Sequence, residues 1–246
     1  MTTFAAEPRK PNPSFSAHLE YIRQCLSLAE KSPPRPTNFR VGAMLVLRRD
    51  EERITEDDTI LSTGYTLELR GNTHAEQCCL ANYAAVHSVP EDRVADVLPS
   101  PADPRRKDGR KLLLYVTMEP CGERLSGNTP CAQRIIQTRR GGRRQGEEEK
   151  SRGGGGGIDK VYFGVKEPAT FVGESKGCRM LSEAGIEWEH VPGLEEEILA
   201  VATAGHELKD SEQKQSRTNI DDISPEERKR QEALPRNPKK RMMEKE

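Results

Sequence analysis

Residues 111–121 read KLLLYVTMEPC, and this stretch decides the fold. From Lys111 to Met118 the run is almost continuously apolar, which predicts a strand covered on both faces at the centre of a sheet. Glu119-Pro120 then breaks the run and delivers Cys121 at the strand's end. That is the sheet edge where α/β proteins place their ligands.

The flanking segments alternate in type. A helix fits 14–31, because Leu19, Ile22, Leu26 and Ala29 recur on one face, and Ser32-Pro33-Pro34 stops it. Val41–Leu47 has strand character, with Ile60–Tyr65 as its antiparallel neighbour across the charged turn Arg49–Asp58. His74–His87 reads as a helix, and 89–110 as a polar loop containing prolines. Beyond Cys121, a helix fits 130–138, a strand Ile158–Val165, a helix Lys176–Ala184 and a last short strand Ile186–His190. Strands alternating with helices around one central strand predict an α/β sandwich on a single sheet.

Composition places limits around that core. Of 246 residues only 33% are hydrophobic and 4% aromatic, while 32% are charged, too polar for one fully packed globule. The polar excess is concentrated in three places. Residues 1–13 form a Pro-containing arm, and 139–157 an Arg-, Glu- and Gly-rich insertion ending in five glycines. From 205 to 246 the chain is a charged tail without aromatics, expected to be disordered. The folded domain is therefore expected over 14–204. A net charge of −1 provides no global field for nucleic acid, and no run has the length of a membrane span. The N-terminus lacks a secretory pattern, so the expected setting is the cytoplasm, where the six cysteines would be thiols or metal ligands.

Three positions stand out as ligands. His74 lies in Thr73-His74-Ala75-Glu76, Cys121 in Glu119-Pro120-Cys121, and Cys131 follows after nine intervening residues. One imidazole and two thiolates suit zinc and leave a fourth position open for water, the pattern of a catalytic site. Zinc would activate that water near neutral pH, and Glu76, close by but not bound to metal, would carry the proton. Thr129 as N-cap and Pro130 as first helical residue would put Cys131 in the first turn of its helix, where a thiolate is favoured. Each piece also has an ordinary structural reading. Thr73-x-x-Glu76 is a capping box, and separated cysteines are commonly core thiols. Cys78, one turn after His74, could reach the metal but would close the site; Cys25 and Cys178 fall on helices as core residues. Taken jointly, H-x-E with P-C and a second Cys matches the zinc-deaminase signature.

The longer stretches GNTHAEQCCL, YVTMEPCGERLSGNTPC and VYFGVKEPATFV resemble the pyrimidine deaminases of riboflavin biosynthesis in their fungal form, within the cytidine deaminase-like superfamily. The resemblance covers about residues 16–190. It implies a three-layer α/β/α fold on a five-stranded mixed sheet. It also implies hydrolytic deamination of 2,5-diamino-6-ribitylamino-4(3H)-pyrimidinone 5′-phosphate, or of the ribosylamino form. By resemblance, His74, Cys121 and Cys131 take the zinc positions and Glu76 the catalytic one. Asn38 falls where the superfamily often carries an asparagine contacting base or sugar, although Phe39-Arg40 replaces the more usual Pro-containing run. The loop between the cysteines is long enough for a sugar-phosphate site: Arg124, Ser126 and Asn128 offer a cation, a hydroxyl and an amide. Glu167, in Lys166-Glu167-Pro168, would line the opposite wall and meet the pyrimidine. Members of the superfamily often form homo-oligomers.

Two other readings use the same residues. A tRNA or nucleotide deaminase would share the chemistry, with Arg139–Arg144 and the basic patch at Arg236–Arg241 as backbone contacts; interspersed glutamates and scarce aromatics argue against it. A non-catalytic partner subunit would keep fold and zinc, but would have no use for Glu76.

Overall fold

The computed structural model describes residues 16–51, 53–124, 127–139, 157–166 and 175–206. Five strands form one mixed sheet: β1 (Gly42–Arg48), β2 (Thr59–Tyr65), β3 (Lys111–Met118), β4 (Lys160–Val165) and β5 (Glu187–His190), in the order β2-β1-β3-β4-β5. β3 is the middle strand, antiparallel to β1 and parallel to β4, and it is buried from Leu112 to Met118. β4 and β5 are parallel, each reached through a helix. The central, doubly covered position expected for 111–118 is therefore the one it occupies.

Among the described residues five helices cover the sheet: α1 (Ala17–Ala29), α2 (Ala75–Val86), α3 (Cys131–Thr138), α4 (Lys176–Glu183) and α5 (Glu195–Thr203). Two glycines fix the layers. A methyl group on Gly42 would stand 1.9 Å from the Cys25 carbonyl oxygen, so α1 lies directly on β1. Gly64 pairs with Ala43, the next residue along β1, and so faces the other side of the sheet. There its Cβ would fall 2.3 Å from the Cys79 nitrogen, which lays α2 directly on β2. α3 and α4 continue the α2 layer, while α5 joins α1, where Gly164 makes room for Ile22 and Ile198.

Helix α1 begins at Ser16, whose hydroxyl accepts the His18 N–H at 3.2 Å. Helix α5 is absent from the sequence expectation, which placed no element after His190. Only Ile198 and Ala202 bury on it, too short an apolar repeat to read as a period, although Glu195, Glu196 and Glu197 suit a helix start. The expected loop 89–110 contains two 3₁₀ turns, Glu91–Asp96 and Pro104–Gly109. Of the segment 139–157, the described ends lie together: Arg139 bonds the carbonyls of Ile158, Asp159 and Gly185. The arm 1–13 and the tail from 207 lie outside the described residues. Among those described, no helix is long and apolar enough to cross a membrane.

Candidate metal centre and active site

Three elements deliver the candidate ligands. His74 is the N-cap residue of α2, Cys121 follows Pro120 at the end of β3, and Cys131 opens α3. Their ligand atoms converge: His74 Nδ1 lies 3.6 Å from Cys121 Sγ and 3.5 Å from Cys131 Sγ. Tetrahedral zinc with its usual bond lengths sets an N···S edge of about 3.6 Å, so the three side chains fit that ion as they stand. The start of α3 contributes further. The Cys131 N–H donates to Cys121 Sγ at 3.4 Å, and the Ala132 N–H to the Cys121 carbonyl at 3.1 Å. Hydrogen bonds from the Cys131 thiol and from His74, with the charge of His74, hold the Cys121 thiol well below its ordinary range. The same contact and complete burial push Cys131 up, so the negative charge of the pair rests on Cys121.

Helix α3 starts differently from expectation. Pro130 is the N-cap and Cys131 the first helical residue, because Pro130 is extended at ψ 155°. The Cys131 sulfur consequently sits closer to the free N–H groups than expected. The capping box does not form either. Thr73 Oγ1 donates to the Leu69 carbonyl at 2.9 Å, the Thr73 N–H goes to Gly71, and His74 has no side-chain cap bond. Glu76 is thereby left for chemistry. It is 3% exposed, and burial, with the negative charge of Cys121, pushes its carboxyl up to about 7 although His74 pulls the other way. A carboxyl held there can give and take a proton near neutral pH.

The loop bringing His74 into place is tightly turned. Leu67, buried, adopts a left-handed φ of 62°, and its N–H reaches the Thr73 carbonyl at 2.9 Å. A branched residue in that region is strained, and here the closed loop enforces it. On the far side, α4 presses against the Cys121 turn. A methyl on Gly177 would stand 1.9 Å from the Pro120 carbonyl oxygen, and one on Gly122 2.5 Å from the Gly177 nitrogen. The Cys178 thiol reaches Glu119 Oε2 at 3.9 Å, and Lys176 pairs with Glu123 at 2.7 Å.

The other expected site residues divide. Arg124 is buried beside the metal group, with Nη1 donating to Gln77 Oε1 at 3.2 Å and Nη2 to the Asn72 carbonyl at 2.6 Å. Asn38 Nδ2 donates to Asn72 Oδ1 at 2.8 Å, so Asn72 joins both expected substrate contacts. Asn128 lies exposed in the loop before α3, and Ser126 and Glu167 lie outside the described residues. Cys78, Cys25 and Cys178 are buried and outside the metal group. Cys25 Sγ donates to the Tyr115 carbonyl at 3.5 Å. Sequence reasoning missed Asn72, Gln77 and Gly177. Gln77 left one sign, a polar residue between Glu76 and the apolar Cys78–Ala81 run, at a position that proves 5% exposed.

Residues 15–142 match the cytidine and deoxycytidylate deaminase zinc-binding region. The diaminohydroxyphosphoribosylamino-pyrimidine deaminase of Schizosaccharomyces pombe is 29% identical over 189 residues, 77% of this chain. The match spans 36% of that relative's length. The crystal structure of Aspergillus oryzae Rib2 deaminase, a C-terminal deletion mutant, is 63% identical with a TM-score of 0.64. The match covers 79% of this chain and 95% of that one. The same protein in complex with DARIPP is 63% identical over 82% of this chain and 96% of that one, also at a TM-score of 0.64. The chain belongs to the cytidine and deoxycytidylate deaminase family, in its riboflavin-biosynthesis pyrimidine deaminase branch.

Proposed function

We propose that the chain hydrolytically deaminates 2,5-diamino-6-ribitylamino-4(3H)-pyrimidinone 5′-phosphate, or the ribosylamino form, using zinc held by His74, Cys121 and Cys131. The observation that carries this is the convergence of one imidazole and two thiol groups beside a buried, non-ligating Glu76. The Rib2 relative's complex with DARIPP supports the substrate class. Zinc would supply Lewis acidity that makes water a usable nucleophile near neutral pH. Glu76 takes a proton from that water and gives it to the ring nitrogen next to the amine-bearing carbon, then takes the second proton from the added hydroxyl and delivers it to the departing amine. Water adds, ammonia leaves, and the amine-bearing carbon becomes a carbonyl. A carboxyl that rests near 7 suits both directions of transfer. Arg124, Ser126 and Asn128 would face the phosphate, Asn38 the sugar or base, and Glu167 the pyrimidine.

Ammonia release from the ribitylamino-pyrimidinone phosphate tests this, with deoxycytidylate and tRNA as parallel substrates and zinc quantified in the same preparation. Turnover of the first alone, with about one zinc per chain, is expected from the three-residue centre. Turnover of deoxycytidylate or tRNA instead would overturn the substrate assignment, and zinc without turnover of any of the three would point to a partner subunit or to another substrate.

A further inference from the structure

Arg124 is 8% exposed, yet both of its acceptors are neutral: the Gln77 amide oxygen and the Asn72 carbonyl. Among the described residues no carboxylate forms an ion pair with it. A buried cation without an anion is costly, and proteins ordinarily pair it. The pairing was one substitution away, since glutamate at 77 would present an oxygen in the same place and neutralise the guanidinium. Instead the amide of Gln77 holds the group from the first turn of α2, and the carbonyl of Asn72 holds it from the loop before that helix. These contacts use two of the five guanidinium N–H donors and none of its charge.

We infer that Gln77 is a positioning residue that sets specificity: it aims Arg124 without neutralising it, and so keeps the charge available for a phosphate monoester on the substrate. This rests on the deaminase reading above and on Arg124 facing the phosphate. Gln77 touches no substrate atom and acts through the guanidinium. A planar fork held from two sides loses little freedom when an anion arrives, which favours bidentate binding over a mobile surface cation. Gln77 also ties the phosphate-reading group to the helix that carries Glu76. Correct seating of the phosphate would thereby register the ring against the proton carrier.

The test uses the zinc-loaded full chain and the ribitylamino-pyrimidinone with and without its 5′-phosphate. Calorimetric binding of ribose 5-phosphate, against ribose, gives a readout independent of the chemistry. Gln77→Glu retains the hydrogen bond and adds a competing carboxylate. The preference in KM for the phosphorylated substrate should fall at least tenfold, the order expected for one charge-assisted contact, and ribose 5-phosphate should weaken in parallel, at about tenfold. The melting temperature should not fall, because the new ion pair braces the fold at least as well. Gln77→Met removes the aim but not the charge and should lose part of the preference. A Gln77→Glu enzyme with the parent's KM ratio would overturn the inference, since a mere brace predicts that result. Arg124→Met separates the two levels: if it abolishes the preference while Gln77→Glu does not, only the role of Gln77 falls. A parent enzyme that does not distinguish the two substrates would sink both.

Discussion

The two ends of β3 carry polar clusters that treat charge in opposite ways. At the Lys111 end, fully buried Arg48 is bound by Asp58 at 2.8 Å, the Tyr115 hydroxyl at 3.2 Å and the carbonyls of Glu51 and Arg53. Asp50 accepts from Lys111 at 3.0 Å and from the Tyr162 hydroxyl. Tyr162 in turn stacks on His18 and Tyr115, with centroids 4.1 and 5.1 Å away. Each of these charges has a partner of opposite sign within the protein. At the other end, roughly 20 Å along the strand, Arg124 has only neutral acceptors among the described residues, and Glu76 shares its surroundings with the Cys121 charge. A cluster whose charges are matched holds a shape, whereas one left unmatched holds a ligand.

The largest expected effects test that contrast directly. Glu76→Gln should keep about one zinc per chain and lower kcat by about 10²–10⁴-fold, the share that a positioned proton carrier supplies. Metal analysis and steady-state kinetics on one preparation measure both, and undiminished turnover by the Glu76→Gln enzyme would remove Glu76 from the mechanism. Cys131→Ala should lose zinc and turnover together. At the closed end, Arg48→Met strands the Asp58 carboxylate, whose side chain is 4% exposed. It should cost about 3–5 kcal/mol in denaturant unfolding, with zinc content retained. Loss of zinc at the same time would mean that the two clusters are one unit, and the comparison would fail.

The sequence revealed the open cluster much better than the closed one. His74, Glu76, Cys121 and Cys131 were legible because zinc chemistry admits few residue types and imposes their local spacing. The KLLLYVTM run revealed the central strand because burial on both faces leaves no room for alternation. Arg48 gave no such sign: it ends an apolar run beside Arg49 and reads as a surface charge, since its partner Asp58 lies across a turn. Gln77 and Asn72 were hidden for the same reason, because each acts through a side chain distant in sequence. Gly177 was hidden because close backbone approach between a helix and a turn leaves no side-chain pattern at all.

That last contact gives an intermediate effect. Gly177→Ala should push the Pro120–Gly122 turn away from α4, because the added methyl would stand 1.9 Å from the Pro120 oxygen. Cys121 would move with the turn. Groups that orient ligands from behind typically change metal affinity by about 10–100-fold. Competition against a chelator should show a loss in that range, and the cobalt-substituted protein should show an altered ligand-field spectrum. A variant that melts lower but binds zinc as the parent does would reduce α4 to packing.

The smallest effect concerns Asp50 and acid. Although burial opposes it, hydrogen bonds from Tyr162 and Lys111, with the charges of Lys160 and Lys111, hold the Asp50 carboxyl below its ordinary range. In the unfolded chain that group titrates near about 3.9. Between the folded and unfolded values the unfolded state binds more protons, so stability rises with pH across that window. The contribution is complete above the unfolded value and disappears as pH falls through the folded one. Asp50→Asn keeps an acceptor for Tyr162 but surrenders the charge, and Lys111 is 39% exposed, so water screens the pair. Parent and variant should therefore differ by ~1 kcal/mol or less at neutral pH, and the gap should close in acid. Protonation of the zinc ligands affects both proteins alike and cancels in the difference. A gap that stayed constant from neutral pH into acid would show that Asp50 acts by packing, and the closed end would then be held by its rings and its buried arginine rather than by matched charge.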